Sequence, residues 1–208
     1  MISVSILGKK DDYKDSINEI NKTNASFLHL DIMDKTFTSN TSFSYNDSKE
    51  ISKLNKKKLD IHIMSKDLDN LLDDYINLNP YIISIHYEID KDLKKYLKKI
   101  KENNIKASIA IKPDTKVSEI YKYFEDIDQV LVLGVNPGES GGVFQEKIID
   151  KLKILNNYKN EYKFLIEVDG GVNDKTIKLV KDYADIIVSG NFITKSDNYQ
   201  KQIDILQE

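Results

Sequence analysis

The sequence predicts an α/β protein folded as one (β/α)₈ barrel, a TIM barrel, and three observations predict it. Short apolar runs alternate with amphipathic polar runs from end to end. Eight such pairs fit into 208 residues with no linker between them. The first apolar run, ISVSIL, passes into GKKDDY without a GxGxxG, so the rival doubly wound open sheet lacks its main support. Repeated βα units favour a parallel sheet covered by helices. This length lies near the short end of the barrel's usual range. We expect a single catalytic domain over residues 1–208.

The elements follow in order. ISVSIL (2–7) reads as the first strand and 11–23 as its helix. SFLHLDI (26–32) is next, with a helix over 47–57. LDIHIM (59–64) precedes 66–78, where Leu68, Leu71, Leu72, Tyr75 and Ile76 share one helical face. YIISIH (81–86) precedes a helix over 90–103, and KASIAI (106–111) one over 116–125. QVLVLGV (129–135) precedes 144–155, whose inner face carries Phe144, Ile148, Leu152 and Leu155. KFLIEV (163–168) and DIIVSG (185–190) complete the strands, with helices over 173–183 and 197–207. Each strand fits by length and by its Ile, Val, Leu and Tyr content.

Composition narrows the function. Apolar residues make up 40%, a normal share for a globular core. The net charge of −3 comes from interspersed signs, and the lysines of 56–58 and 94–101 lie on amphipathic stretches, so no nucleic-acid partner is expected. There is no cysteine, hence no disulfide frame and no thiol nucleophile. No apolar run approaches membrane-spanning length, and the N-terminal one is too short for a signal peptide, so the expectation is a cytoplasmic protein with no membrane partner.

Polar residues interrupt the apolar runs at strand ends, where this fold builds its sites. In SFLHLDIMDKTF, His29 and Asp31 stand two apart and therefore point to one side of the strand. A buried carboxylate there needs compensation. His62 and His86 lie near the ends of the third and fourth strands, and Asp169 ends the seventh. Singly, a strand-end histidine reads as a hydrogen-bonded core residue, and Asp169 as a helix cap. Together His29, Asp31, His62 and Asp169 can converge at the barrel mouth. Two imidazoles and two carboxylates suit a divalent transition ion (zinc, iron(II), manganese or cobalt) better than magnesium or calcium. Glycines follow the last three strands in GVNPGESGG (134–142), DGG (169–171) and SGN (189–191). They make either tight βα turns or an anion cradle, and three such loops favour a phosphate.

HLDIMD, DIHIM, ISIHYE, VNPGESGG and IEVDGGVN, in this order, resemble the ribulose-phosphate 3-epimerase family, with SIL (5–7) resembling its first strand. The resemblance runs from Ser5 to about Tyr199. It implies a barrel of the ribulose-phosphate-binding type that interconverts D-ribulose 5-phosphate and D-xylulose 5-phosphate in carbohydrate metabolism. It implies one divalent ion per subunit on His29, Asp31, His62 and Asp169, with Asp31 and Asp169 as the acid/base pair. Ser5 and His62 match substrate contacts, Met33 and Met64 the floor of the site. Gly138, Glu139, Ser140, Gly141, Gly170, Gly171, Gly190 and Asn191 match phosphate-loop positions. A homo-oligomer is implied as well.

The chain departs from the family pattern in places. Lys35 stands where the family has glycine, Ser39 where it has proline, and Leu133 where it has methionine. PGESGG (137–142) replaces a pattern close to PGFGGQ, so Glu139 takes the place of an aromatic that covers substrate. A carboxylate beside a phosphate repels it unless it points to solvent. Lys112, where asparagine is usual, is expected to be exposed and solvated, with pairing to Glu139 or to substrate as the alternatives. Three functions fit: the pentulose-phosphate epimerase, an epimerase of another ketose phosphate such as D-allulose 6-phosphate, or an inactive metal-binding barrel with a regulatory role.

Overall fold

The structure is a computed structural model that describes residues 1–89 and 92–208. Eight parallel strands among the described residues close into a barrel in sequence order. They are β1 (Ile2–Ser5), β2 (Phe27–Met33), β3 (Lys58–Met64), β4 (Ile82–His86), β5 (Lys106–Ile111), β6 (Gln129–Leu133), β7 (Leu165–Asp169) and β8 (Ile186–Ser189). Closure is made by β8 against β1, with Ile2 opposite Ile187.

Every residue of β2 is buried. Parallel barrel strands are covered on both faces, and the two faces do different work. Leu28, Leu30, Ile32, Ile61 and Ile63 belong to the large apolar cluster shared with the helices. The alternate set fills the barrel. Phe27, Ile82 and Ile186 form an apolar cluster there with Leu165. The next inward positions are polar and buried: Ser3, His29, Asp60, Ser108, Gln129 and Glu167.

The helices that pair with the strands are α1 (Tyr13–Lys22), α2 (Tyr45–Leu54), α3 (Leu68–Ile76), α4 (Lys94–Glu102), α5 (Ile148–Tyr162), α6 (Ile177–Val180), α7 (Asn191–Thr194) and α8 (Tyr199–Gln207). Four helical segments differ from the sequence reading for local reasons. Helix α2 starts ahead of 47 because Ser44 and Asp47 form a reciprocal capping box. The segment expected as a helix over 116–125 is a 3₁₀ helix, Val117–Tyr123. Its buried residues, Val117, Ile120 and Tyr123, repeat every three positions, which suits three residues per turn. The helix expected over 173–183 shrinks to the single turn α6, because Asn173 Oδ1 takes the backbone N–H groups of Lys175 and Thr176. Helix α5 begins at Ile148, leaving Phe144 in the preceding loop. A Cβ on Gly171 would meet the Phe144 backbone nitrogen at 2.8 Å, and Gly171 has φ +73°, so the β7 loop accepts only glycine there. Of the helix expected over 90–103, positions 90 and 91 lie outside the described residues, and α4 covers 94–102.

Candidate active site

The carboxyl ends of β2, β3 and β7 bring the predicted cluster together. Asp31 lies opposite His62 in register, and Ser5 opposite His29. Asp31 Oδ1 is 3.4 Å from His29 Nε2 and 3.2 Å from His62 Nδ1. Asp169 Oδ2 is 3.9 Å from each of the same two nitrogens. One ligand-type atom from each of His29, Asp31, His62 and Asp169 lies within 4.8 Å of the others, so these side chains can hold a metal ion. Ser5 Oγ donates to Asp31 Oδ2 at 2.9 Å.

The donor set is short of positive charge. His29 Nδ1 is 2.7 Å from Asp60 Oδ2, a carboxylate that only accepts, so the hydrogen is on Nδ1. That leaves Nε2 turned toward Asp31 and Asp169, buried and without a hydrogen bond among the described residues. Burial disfavours a charged His29, yet the Asp60 and Asp31 carboxylates more than offset this and raise it well above the usual imidazole range. Burial likewise opposes ionisation of Asp31, but His29 and His62 hold its carboxyl well below the carboxylate range. Asp169 behaves differently. Burial, opposed by His29 and reinforced by the Asp31 charge, pushes it up to about 6. An orphaned imidazole nitrogen facing two carboxylates is a place for a cation, and two nitrogens with two oxygens fit a divalent transition ion.

Around this cluster lies support that the sequence reading missed. Asp60 also accepts from Ser3 Oγ at 2.8 Å. Beside it, burial and the Asp60 charge raise Glu167 well above the carboxylate range. Gln129 Nε2 donates to Glu167 Oε2. Asp60 and Glu167 each stand two residues before a singled-out site residue on the same strand, so the spacing that drew attention to His29 and Asp31 points to them too. His86 reads in the sequence as a strand-end residue. It places Nε2 2.9 Å from His62 Nε2 and Nδ1 2.8 Å from Glu88 Oε2.

A cavity of about 500 Å³ opens over the cluster. Ser5, Asp31, His62, Met64 and Asp169 line its strand-end wall, together with Leu133. Gly138, Glu139, Ser140 and Gly141 line it from the loop after β6, Gly170 and Gly171 from β7, and Gly190 and Asn191 from β8. His29 and Met33 are buried and are not among the lining residues. Gly138, Gly141, Gly170 and Gly171 all have positive φ.

Two expectations about charged residues are resolved here. Glu139 is exposed, and its Oε1 accepts from Asn136 Nδ2 at 3.3 Å within the same loop. Lys112 is not a freely solvated side chain and does not pair with Glu139. It is half-buried, with Nζ 4.1 Å from the Phe37 ring centre, because the aromatic face attracts the ammonium.

Comparison with known proteins now decides the family. A sequence profile described as the ribulose-phosphate 3 epimerase family matches residues 1–194. The chain belongs to the ribulose-phosphate 3-epimerase family. It is an enzyme of the isomerase class. Relatives named ribulose-phosphate 3-epimerase include one from Helicobacter pylori (strain J99), 34% identical over 188 residues, covering 89% of this chain and 87% of the relative. The one from Bacillus subtilis (strain 168) is 31% identical over 191 residues, covering 90% and 88%. The one from Escherichia coli (strain K12) is 31% identical over 184 residues, covering 86% and 82%. Among solved structures, KGPDC from Streptococcus mutans superposes with a TM-score of 0.72 at 15% identity, covering 99% of this chain and 94% of that one. A 3-hexulose-6-phosphate synthase gives 0.65 at 14%, covering 99% and 97%. Those two likenesses concern the fold alone. No helix among the described residues is long and apolar enough to cross a membrane.

Proposed function

We propose that the protein interconverts D-ribulose 5-phosphate and D-xylulose 5-phosphate by moving a proton at C3. One observation carries the reading. Asp31 and Asp169 come from different strands, and each points a carboxyl oxygen at the same two imidazole nitrogens under one cavity.

Inverting C3 requires a base on one face of the sugar and an acid on the other. The pair is already split: Asp31 is held ionised, while Asp169 is pushed up to about 6. Asp31 takes the C3 hydrogen as a proton, and the electron pair of that bond delocalises toward the C2 carbonyl. Asp169 returns a proton to C3 from the opposite face, and the reverse reaction exchanges the roles. Ser5 holds Asp31 through its Oδ2, leaving Oδ1 for the site. Backbone N–H groups of the loops after β6, β7 and β8 face the phosphate, where glycines admit close approach. His29, Asp31, His62 and Asp169 would hold one divalent transition ion per subunit (zinc, iron(II), manganese or cobalt), which would supply Lewis-acid stabilisation of the developing negative charge. The same reading makes residues 1–208 one catalytic domain of a cytoplasmic homo-oligomer whose partner is a small sugar phosphate.

The test is a coupled assay for xylulose 5-phosphate with each of the four ions, with D-allulose 6-phosphate run in parallel. The expected result is turnover of the pentulose that chelation abolishes. Preference for the hexulose would reassign the substrate to the longer sugar, and turnover of neither would leave a metal-binding barrel without this activity. Asp31→Asn and Asp169→Asn should each lower kcat by about 10²–10⁴-fold with the fold intact, a loss typical of acid/base groups.

A further inference from the structure

We propose that His86 and Glu88 are positioning residues that keep a hydrogen on His62 Nε2 and so present Nδ1 as the ligand nitrogen to the four-residue cluster. The proposal rests on the metal reading above and adds how one of the ligands is prepared for it.

The argument is a count of hydrogens along a buried chain. Glu88 is an acceptor at both oxygens. Oε1 takes the backbone N–H of Lys112 at 2.7 Å and the hydroxyl of Thr115, and Oε2 faces His86 Nδ1 at 2.8 Å. The hydrogen of that last contact therefore sits on His86 Nδ1. His86 Nε2 and His62 Nε2 are 2.9 Å apart, and of two facing ring nitrogens one must donate and the other accept. With its hydrogen committed to Glu88, neutral His86 offers a lone pair at Nε2. His62 must then donate from Nε2, which leaves Nδ1 as its nitrogen for the cluster. That nitrogen is the one that faces Asp31 Oδ1 at 3.2 Å and Asp169 Oδ2 at 3.9 Å, so any hydrogen it shares with Asp31 is the one a metal ion would displace.

The arrangement mirrors the one at His29, where Asp60 takes the Nδ1 hydrogen and leaves Nε2 for the cluster. The two histidines thus use opposite nitrogens, and each is oriented through the other one. His62 and His86 are both fully buried, so no solvent competes for the contact between them. The chain is also held from the loop side. The Phe37 ring packs 4.4 Å from the His86 ring, and Lys112 Nζ lies 4.1 Å from Phe37, with the Lys112 backbone already on Glu88. Outer hydrogen-bond partners of metal-ligating histidines fix the tautomer and ring orientation, and their loss costs about 10–100-fold in metal affinity.

The experiment uses the full chain, first stripped of metal and then titrated with cobalt(II). In the stripped protein, ¹⁵N NMR of the histidine rings reads the His62 tautomer directly. A hydrogen on Nε2 is expected, and an Nε2 without one in the unmutated chain would overturn the proposal without any variant. His86→Phe keeps an aromatic ring against Phe37 but removes the acceptor. It should raise the cobalt dissociation constant about 10–100-fold and shift the visible cobalt bands. His86→Gln restores an acceptor near the Nε2 position and should recover most of the affinity. Unchanged cobalt affinity and spectrum in His86→Phe would refute the role. If the unmutated protein takes up no cobalt, the metal reading fails by itself. The tautomer then decides alone: its loss in His86→Phe upholds the positioning role and its survival overturns it.

Discussion

His29 Nδ1 and Asp60 Oδ2 lie 2.7 Å apart, and neither residue is reached by solvent. Next to them two carboxyls are pushed apart: against the cost of burial His29 holds Asp60 low, while burial and the Asp60 charge raise Glu167. One carboxyl is therefore needed as an anion and the other as a neutral acid. Asp60→Ala strips the acceptor from His29 and from Ser3 and should cost about 3–5 kcal/mol, the usual result of breaking a buried charged pair. Glu167→Gln resembles the protonated acid in shape and charge and should cost less than about 1.5 kcal/mol. Urea unfolding of the stripped protein measures both, and a larger loss in Glu167→Gln would contradict this division.

Asp169 sets a pH dependence in the metal-free protein. Its carboxyl lies at about 6 in the fold, against about 3.9 in an unfolded chain. The folded state then binds the proton more tightly, so this contribution to stability is complete below about pH 4 and is lost as pH rises through about 6. Stability of the chelated protein, compared with Asp169→Asn, should fall across that window by about 2–3 kcal/mol. A difference between the two proteins that stays flat from pH 4 to 7 would show that Asp169 ionises freely in the fold.

Much of this architecture is legible in the sequence because its signals are local and repeated. SFLHLDI and LDIHIM carry strand propensity together with polar residues at spacing two, and the closed barrel turns that spacing into a shared interior. The shortened α6 is less legible, since Asn173 competes with helical hydrogen bonds through a turn that apolar spacing does not register. Lys112 and Phe37 are far apart in sequence, so their contact depends on two loops folding over the barrel mouth. Glu88 is legible only after the tautomers are counted.

Lys35 explains one departure from the family pattern. It adopts φ 70°, the left-handed region where a Cβ is strained, and the family has glycine there. Relief of that strain is worth about 1–2 kcal/mol, against about 0.5–1 kcal/mol for the extra freedom glycine has when unfolded. Lys35→Gly should therefore stabilise the protein by up to about 1 kcal/mol and raise Tm by a few degrees. Calorimetry checks it, and a lower Tm would mean that the lysine side chain makes up for its strained backbone.

Glu139 carries the last prediction. Its carboxylate lines the cavity wall but is exposed and tied to Asn136 in its own loop. The charge is then felt by an incoming phosphate dianion mainly through water, where two charges interact weakly and salt screens them within about 10 Å at 0.1 M. Glu139→Gln should lower KM for the sugar phosphate about two- to fivefold at low salt and leave kcat unchanged, because the proposed function places this loop at the phosphate and not at the carbon that is inverted. The gain should vanish by about 0.5 M salt, since only a long-range repulsion has been removed. A KM benefit that persists at high salt would mean instead that Glu139 blocks the cavity by its shape. A change in kcat would mean that the loop takes part in positioning the reacting carbon.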